Sequence, residues 1–165
     1  PEVQLIGGGA ILREVEAAVA LLAEEGVRAA VWSATSFTEL RREALEAERL
    51  NALHPDKKAK TAWVTEQLSS SKGPIIAATD YMKVHADQIR AFLPDGRDYR
   101  VLGTDGFGRS DSRRQLRRHF EVDAAHVAYT ALLALHDSGD VSTDKLLAAR
   151  QRWGINPEQP SAAKA

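Results

Sequence analysis

Four short apolar runs recur along this chain of 165 residues, and each is followed by a polar or glycine-rich turn and then by a segment with helical spacing. They occupy residues 3–6, 27–32, 74–78 and 99–102. The runs are largely continuous rather than alternating, which is typical of strands in a parallel sheet that is covered on both faces. The pattern therefore predicts an α/β fold, in which a mostly parallel sheet carries helices on both faces.

The segments between the runs carry helix signals. Ile11, Val15, Val19 and Leu22 recur at helical spacing, and Gly26 is placed to end that helix in a left-handed conformation. Further helices are expected at residues 38–53, 63–68, 79–93, 111–119, 123–138 and 143–152. The expected N-cap residues are Thr38, Ser110, Asp123 and Thr143.

The carboxyl ends of the predicted strands lead into four loops, at residues 7–9, 33–37, 79–80 and 104–110. Open α/β sheets bind ligands and partners beyond the carboxyl ends of their strands. We therefore expect these four loops to share one edge of the sheet and to form the functional surface.

The most distinctive of these loops lies in residues 103–113, Gly-Thr-Asp-Gly-Phe-Gly-Arg-Ser-Asp-Ser-Arg. Its three glycines permit positive φ values and a close approach of another group to the backbone, so we expect something to lie against this loop. Ser110 and Asp111 are explained by capping and by the dipole of the following helix. Phe107 has two interpretations that the sequence does not separate: it plugs the domain core, or it inserts into a neighbouring subunit.

Several familiar sites are not supported. Leu12 stands where the Gly-x-Gly-x-x-Gly fingerprint requires glycine, and the Gly-Lys-Ser/Thr ending of a P-loop is absent, so residues 7–9 are interpreted as a tight turn. The five histidines have no metal-binding spacing, and no Gly-x-Ser-x-Gly elbow or cysteine supplies a nucleophile. We assign no catalytic, cofactor-binding or metal-binding residue to this chain.

Charge also limits the partners. The formal net charge is -1, and the arginines are not interleaved with aromatic residues, which disfavours nucleic-acid binding. A local basic cluster consists of Arg109, Arg113, Arg114, Arg117 and Arg118. We favour a solvated helix face with some inter-subunit salt bridges over a site for phosphate or for an acidic protein surface.

The domain boundaries follow from composition. Residues 1–156 are expected to form one α/β domain, and the polar, alanine-rich residues 157–165 a frayed tail. No stretch predicts a signal peptide or a membrane span, and the lack of cysteine fits a reducing cytoplasm. Because the chain begins at a strand without an initiator methionine, we expect it to be a fragment of a longer polypeptide.

The loop at 103–113, together with Leu116 and residues 119–123, resembles the C-terminal domain of the homodimeric, thiamine-diphosphate-dependent pyruvate dehydrogenase family. The resemblance extends to residues 8–14, 31–40, 53–55 and 78–83, and so covers nearly the whole chain. Residues 106–110 also echo the Thr-Phe-Gly-x-Ser pattern of the more distant transketolases. Glycine replaces the threonine here, which favours the pyruvate dehydrogenase family.

The resemblance implies a transketolase C-terminal fold and a parent enzyme that decarboxylates pyruvate on thiamine diphosphate with magnesium. That enzyme then reductively acetylates a lipoyl group on dihydrolipoyl acetyltransferase. The family's Gly-Asp-Gly motif with its later paired asparagines lies in an amino-terminal domain, and Thr104-Asp105-Gly106 is only a superficial echo of it. We therefore expect the cofactors to be bound by domains absent here, and this fragment alone to be inactive.

The resemblance further implies that this domain supports dimerisation with a second copy, architecture and docking of the acetyltransferase. The candidate interface residues are Asp105, Phe107, Gly108, Arg109, Ser110, Asp111 and Arg113. A competing interpretation is a free-standing α/β module that binds a small anion or a protein partner at the same edge.

Overall fold

The computed structural model describes all 165 residues and contains four strands and seven α-helices. The strands are β1 (Glu2–Gly8), β2 (Arg28–Ala34), β3 (Ile75–Ala78) and β4 (Tyr99–Leu102). The helices are α1 (Leu12–Glu24), α2 (Phe37–Leu53), α3 (Trp63–Leu68), α4 (Lys83–Asp87), α5 (Arg113–His119), α6 (Ala124–Asp137) and α7 (Thr143–Arg152). Two short 3₁₀ turns cover Gly9–Ile11 and Arg90–Phe92.

All strand pairs are parallel, and the strand order is β2-β1-β3-β4. Side chains of successive residues point to opposite faces of the sheet. Leu5 and Ile76 pack under α1, α6 and α7, whereas Ile6 and Ile75 pack with α2, α3 and α4. The predicted α/β class, the parallel sheet and the helices on both faces are therefore confirmed.

Burial differs sharply between the strands. Every residue of β3 is buried, and so are residues 3–8 of β1, but no residue of β2 is buried and Val31 is 38% exposed. The expectation of a covered strand is therefore wrong for β2. Its apolar run lies at an edge of the sheet, where one side of the strand has no neighbour.

The single helix predicted for residues 79–93 is also wrong, because only Lys83–Asp87 and a 3₁₀ turn form. The carbonyl of Ala86 accepts a hydrogen bond from the Tyr99 hydroxyl at 2.7 Å, and that of Gln88 accepts one from the Arg41 guanidinium at 2.9 Å. These tertiary hydrogen bonds use carbonyl groups that would otherwise accept from the next helical turn.

The helix caps follow the expected chemistry at shifted positions. Asp123 caps α6 as predicted, and Gly26 has a φ of 72° after α1. Ser36, Ser112 and Ser142 are the observed caps, and each accepts a hydrogen bond from the backbone N–H three residues later. The predicted caps Thr38, Ser110 and Thr143 are therefore wrong by one or two residues, since an earlier or later serine has the extended backbone of an N-cap.

Candidate functional site

The four loops at the carboxyl ends of the strands share one edge of the sheet, as the sequence predicts. Gly9 has a φ of 58° and lies against the carboxylate of Asp80, which follows β3. Phe37, which follows β2, packs its ring against Gly8. Thr104, which follows β4, donates its hydroxyl proton to the carbonyl of Asp80 at 2.7 Å. The parallel sheet thus brings together loops from all four strands.

The first part of the glycine loop forms hydrogen bonds with the segment at residues 80–83. The backbone N–H of Thr104 donates to the carbonyl of Tyr81 at 2.9 Å, and Asp105 Oδ1 accepts from the backbone N–H of Lys83 at 3.1 Å. Gly103 is buried, and a Cβ at this position would lie 2.7 Å from the backbone nitrogen of Lys83. The expectation of a close neighbour is confirmed, and that neighbour is the chain itself.

The second part of the loop meets the C-terminal tail. Gly106 has a φ of 114°, and a Cβ at this position would clash with the carbonyl of Ala162. Gln159 donates through Nε2 to the carbonyl of His119 at 3.4 Å. The tail has no helix or strand but does contact the domain, and its fraying in solution stays a prediction.

The interface candidates beyond Asp105 are exposed. Phe107 is 83% exposed, so the interpretation that it plugs the core is wrong. The five others are exposed as well: Gly108, Arg109, Ser110, Asp111 and Arg113. Nothing within the chain lies near the Cβ position of Gly108. Asp111 accepts from the backbone N–H of Ser112 at 2.6 Å, a local contact that helps to set the entry into α5.

Four large apolar side chains are exposed close to the contact between Lys83 and Asp105. Tyr81, Met82 and Val84 are 62%, 59% and 67% exposed, and Phe107 exceeds them all. Each of the four lies within two residues of Lys83 or Asp105. We call these four residues the edge patch. The sequence reasoning missed Tyr81, Met82 and Val84 because the predicted helix at 79–93 placed them on ordinary helical turns.

The arginine cluster divides into two groups. Arg117 pairs with Glu14 of α1 at 2.7 Å, and Arg118 pairs with Asp123 at 3.2 Å, so these two form salt bridges within the domain rather than between subunits. The remaining three arginines, at positions 109, 113 and 114, are exposed and have no carboxylate within 4.0 Å. The free positive charge of the cluster therefore lies at the end of the glycine loop and the start of α5.

Asp123 carries the one perturbed carboxylate of this region. Burial by itself raises the pKa of Asp123, but hydrogen bonds from the ring and backbone N–H of His126, together with the charges of His126 and Arg118, outweigh that effect. The pKa of Asp123 is therefore held below its ordinary value. This partly buried N-cap stays ionised where it stabilises the start of α6.

The donor groups present do not fit a magnesium diphosphate site. Asp105 of the Thr-Asp-Gly echo uses its carboxylate to hold Lys83, and no three histidine, cysteine, aspartate or glutamate side chains come close enough together to hold a metal ion. We therefore derive no catalytic step through thiamine diphosphate or magnesium from these residues. None of the helices combines the length and the apolar composition needed to cross a membrane.

Comparison with known proteins adds a family match and similar sequences. A family model described as the transketolase-like TK C-terminal domain matches residues 1–123. A protein of Pseudomonas aeruginosa named pyruvate dehydrogenase E1 component is 53% identical over 158 residues, which is 95% of this chain. Proteins of the same name from Cupriavidus necator and Escherichia coli K12 are 48% and 45% identical over 98% and 96% of the chain. The chain spans 18% of the length of each of these relatives.

Proposed function

Because the chain belongs to the transketolase-like C-terminal domain family, we propose that it is the C-terminal domain of a pyruvate dehydrogenase E1 component. In this proposal the complete enzyme decarboxylates pyruvate on thiamine diphosphate and magnesium and transfers the acetyl group to the lipoyl group of dihydrolipoyl acetyltransferase. The relatives of that name, 45–53% identical over at least 95% of the chain, support it. In this proposal the enzyme lies in a bacterial cytoplasm, and the bacterial origin of the relatives supports a bacterial source.

Within that enzyme, the role of this domain is to pack and position the rest of the polypeptide. The single observation that carries this role is the edge patch, in which Tyr81, Met82, Val84 and Phe107 are exposed at the edge where the strand ends gather. Burying one such side chain fully is worth about 1.5–3 kcal/mol. Four of them in one place favour a packing surface over a solvated loop.

The backbone at this edge is well suited to present the patch. Three hydrogen bonds link residues 104 and 105 to residues 80, 81 and 83, at 2.7–3.1 Å. They hold the loops after β3 and β4 as one unit, so the exposed side chains need not be ordered separately when a partner binds. Arg109, Arg113 and Arg114 flank the loop and supply the polar rim of an interface.

The partners of this surface are the remaining domains of the enzyme and a second copy of the subunit. Asp105, Phe107, Gly108, Arg109, Ser110, Asp111 and Arg113 are the residues we assign to it. In this proposal dihydrolipoyl acetyltransferase docks near the three unpaired arginines, Arg109, Arg113 and Arg114. The competing free-standing module would use the same edge, and a native polypeptide of about 165 residues would favour it.

The test uses the full polypeptide that carries this chain. We expect Phe107→Ala and Arg109→Glu to lower the fraction of dimer, measured by light scattering, and the rate of pyruvate turnover. Leu53→Ala is the matched control, since Leu53 is 57% exposed at the far end of α2 and lies outside the edge patch. Unchanged dimer mass and turnover in both patch variants would refute the packing role.

A further inference from the structure

An open cavity of about 500 Å³ lies at the carboxyl edge of the sheet, beside the edge patch but distinct from it. Its walls come from Ala10 and Ile11 after β1, Asp80 after β3, residues 104, 106 and 108 of the glycine loop after β4, and residues 113–122 in and after α5. The chain leaves β1 for β2 on one side and reaches β3 and β4 on the other, so the strand order reverses between β1 and β3. Such a switch point is where open α/β sheets bind small ligands.

The floor of the cavity is apolar and preformed. Ile11 and Val122 are 2% and 1% exposed and belong to the main core, so they cannot move without disturbing it. Leu116 and Phe120 are half-buried and extend the apolar surface toward solvent. A volume of this size and an apolar floor suit a small organic molecule rather than a bare ion.

Two side chains of opposite charge line the cavity next to its apolar floor without forming an ion pair with each other. Arg113 and Asp80 both line the cavity, yet they form no ion pair with each other, and their charged groups form no hydrogen bond elsewhere in the chain. Arg117, the other charged residue of the wall, is already paired with Glu14 at 2.7 Å. The free charges therefore present one cationic and one anionic contact to a molecule in the cavity.

An apolar floor with one free cationic and one free anionic side chain limits the class of molecule that the cavity can bind. A simple anion such as phosphate would meet Asp80 as well as Arg113, so repulsion would offset part of the attraction. A zwitterion satisfies both groups, and an apolar side chain on it would cover Ile11, Leu116 and Phe120.

We propose that the cavity between β1, β3 and α5 binds an α-amino acid with an apolar side chain. Arg113 holds its carboxylate, Asp80 holds its ammonium group, and Ile11, Leu116 and Phe120 contact its side chain. This site differs from the packing role proposed above, because it takes a free small molecule and uses Asp80, Ile11, Leu116 and Phe120, which are not part of the packing surface. Arg113 is the one charged side chain that belongs to both.

Titration calorimetry of the full polypeptide tests the proposal with L-leucine and L-phenylalanine as probes. We expect binding of both, and at least about tenfold weaker binding of 4-methylpentanoate, which lacks the ammonium group, and of 3-methylbutylamine, which lacks the carboxylate. Absence of detectable heat with millimolar amino acid, or equal binding of leucine and the two analogues, would overturn the proposal.

Three variants locate the site. Arg113→Met and Asp80→Asn should each weaken leucine binding by about tenfold or more, since each loses a charge-assisted hydrogen bond. Arg114→Met is the matched control, because Arg114 is exposed beside Arg113 but does not line the cavity. Circular dichroism checks that all three fold. Equal weakening by Arg114→Met, or full binding by Arg113→Met, would contradict the assignment.

Discussion

The carboxylate of Glu14 in α1 lies 2.7 Å from the guanidinium of Arg117 in α5, although 103 positions separate the two residues in the chain. The other carboxylate oxygen of Glu14 accepts a hydrogen bond from the backbone N–H of Ala124 at 2.9 Å, at the start of α6. The Glu14 and Arg117 side chains are only 20% and 21% exposed. One side chain of α1 therefore contacts the first two helices that follow the glycine loop, α5 and α6.

Replacing Glu14 by alanine should reduce the free energy of unfolding by about 1–3 kcal/mol, because the guanidinium of Arg117 and the N–H of Ala124 both lose their acceptor. Urea denaturation followed by circular dichroism measures this change. Glu16→Ala is the control on the same helix, since Glu16 is exposed, and it should change the free energy by no more than about 0.5 kcal/mol. Equal losses in the two variants would contradict the bridging role of Glu14.

A second prediction concerns Gln4, which is fully buried in β1. Its Oε1 accepts from the indole N–H of Trp32 at 2.8 Å, and its Nε2 donates to the carbonyl of Leu68 at 2.9 Å. Gln4→Leu should cost about 1–3 kcal/mol in urea denaturation, since it leaves both partners unsatisfied. The exposed Gln151→Leu serves as control. A Gln4→Leu protein as stable as the parent would show that this buried hydrogen-bond pair adds no stability.

A third prediction is that the free energy of unfolding depends on pH through the ionisation of Asp123. Its pKa is lowered in the folded state, so its ionised form adds stability above the pKa of the unfolded chain, and this is lost as pH falls through the folded pKa. We expect the free energy of unfolding to fall between about pH 5 and pH 3, and to fall less in Asp123→Asn, which keeps an N-cap acceptor. Asp95→Asn, at an exposed turn, should retain the parental slope. The same slope in all three proteins would contradict the role of Asp123.

Much of the sheet could be predicted from the sequence because its strands depend on local composition. The bounds of β4 match the prediction, and β1 and β3 differ from it by a few residues at most. Burial of β2 could not be predicted, since the apolar run at 27–32 looks the same in a central strand and in an edge strand. Strand order decides that difference, and it depends on contacts between residues far apart in the chain.

The sequence predicts where the candidate site lies, but not all of the residues that form it. The glycine loop and the gathering of loops at one edge follow from the strand pattern, whereas the exposure of Tyr81 and Met82 depends on hydrogen bonds from Thr104 and Asp105. Those bonds hold residues 80–82 outside a helix that local propensity alone would favour. Tertiary contacts thus override the local signal where the edge patch forms.

The cofactor assignment gives a further prediction. Titration calorimetry of the 165-residue chain with thiamine diphosphate and magnesium should show no binding, because Asp105 is committed to Lys83 and no cluster of metal-binding side chains is present. Circular dichroism must first show that the isolated chain is folded. Saturable binding of the cofactor would contradict the placement of its site in other domains.

The central claim is that the edge patch packs against parts of the enzyme outside these 165 residues. The most direct measurement places a photoreactive benzoylphenylalanine at Phe107 in the full polypeptide and identifies the crosslinked peptides by mass spectrometry, with Leu53 as the matched position. We predict that position 107 crosslinks to peptides from another domain or a second subunit, with a much higher yield than position 53. Crosslinks confined to residues 1–165, or equal yields at the two positions, would contradict the account.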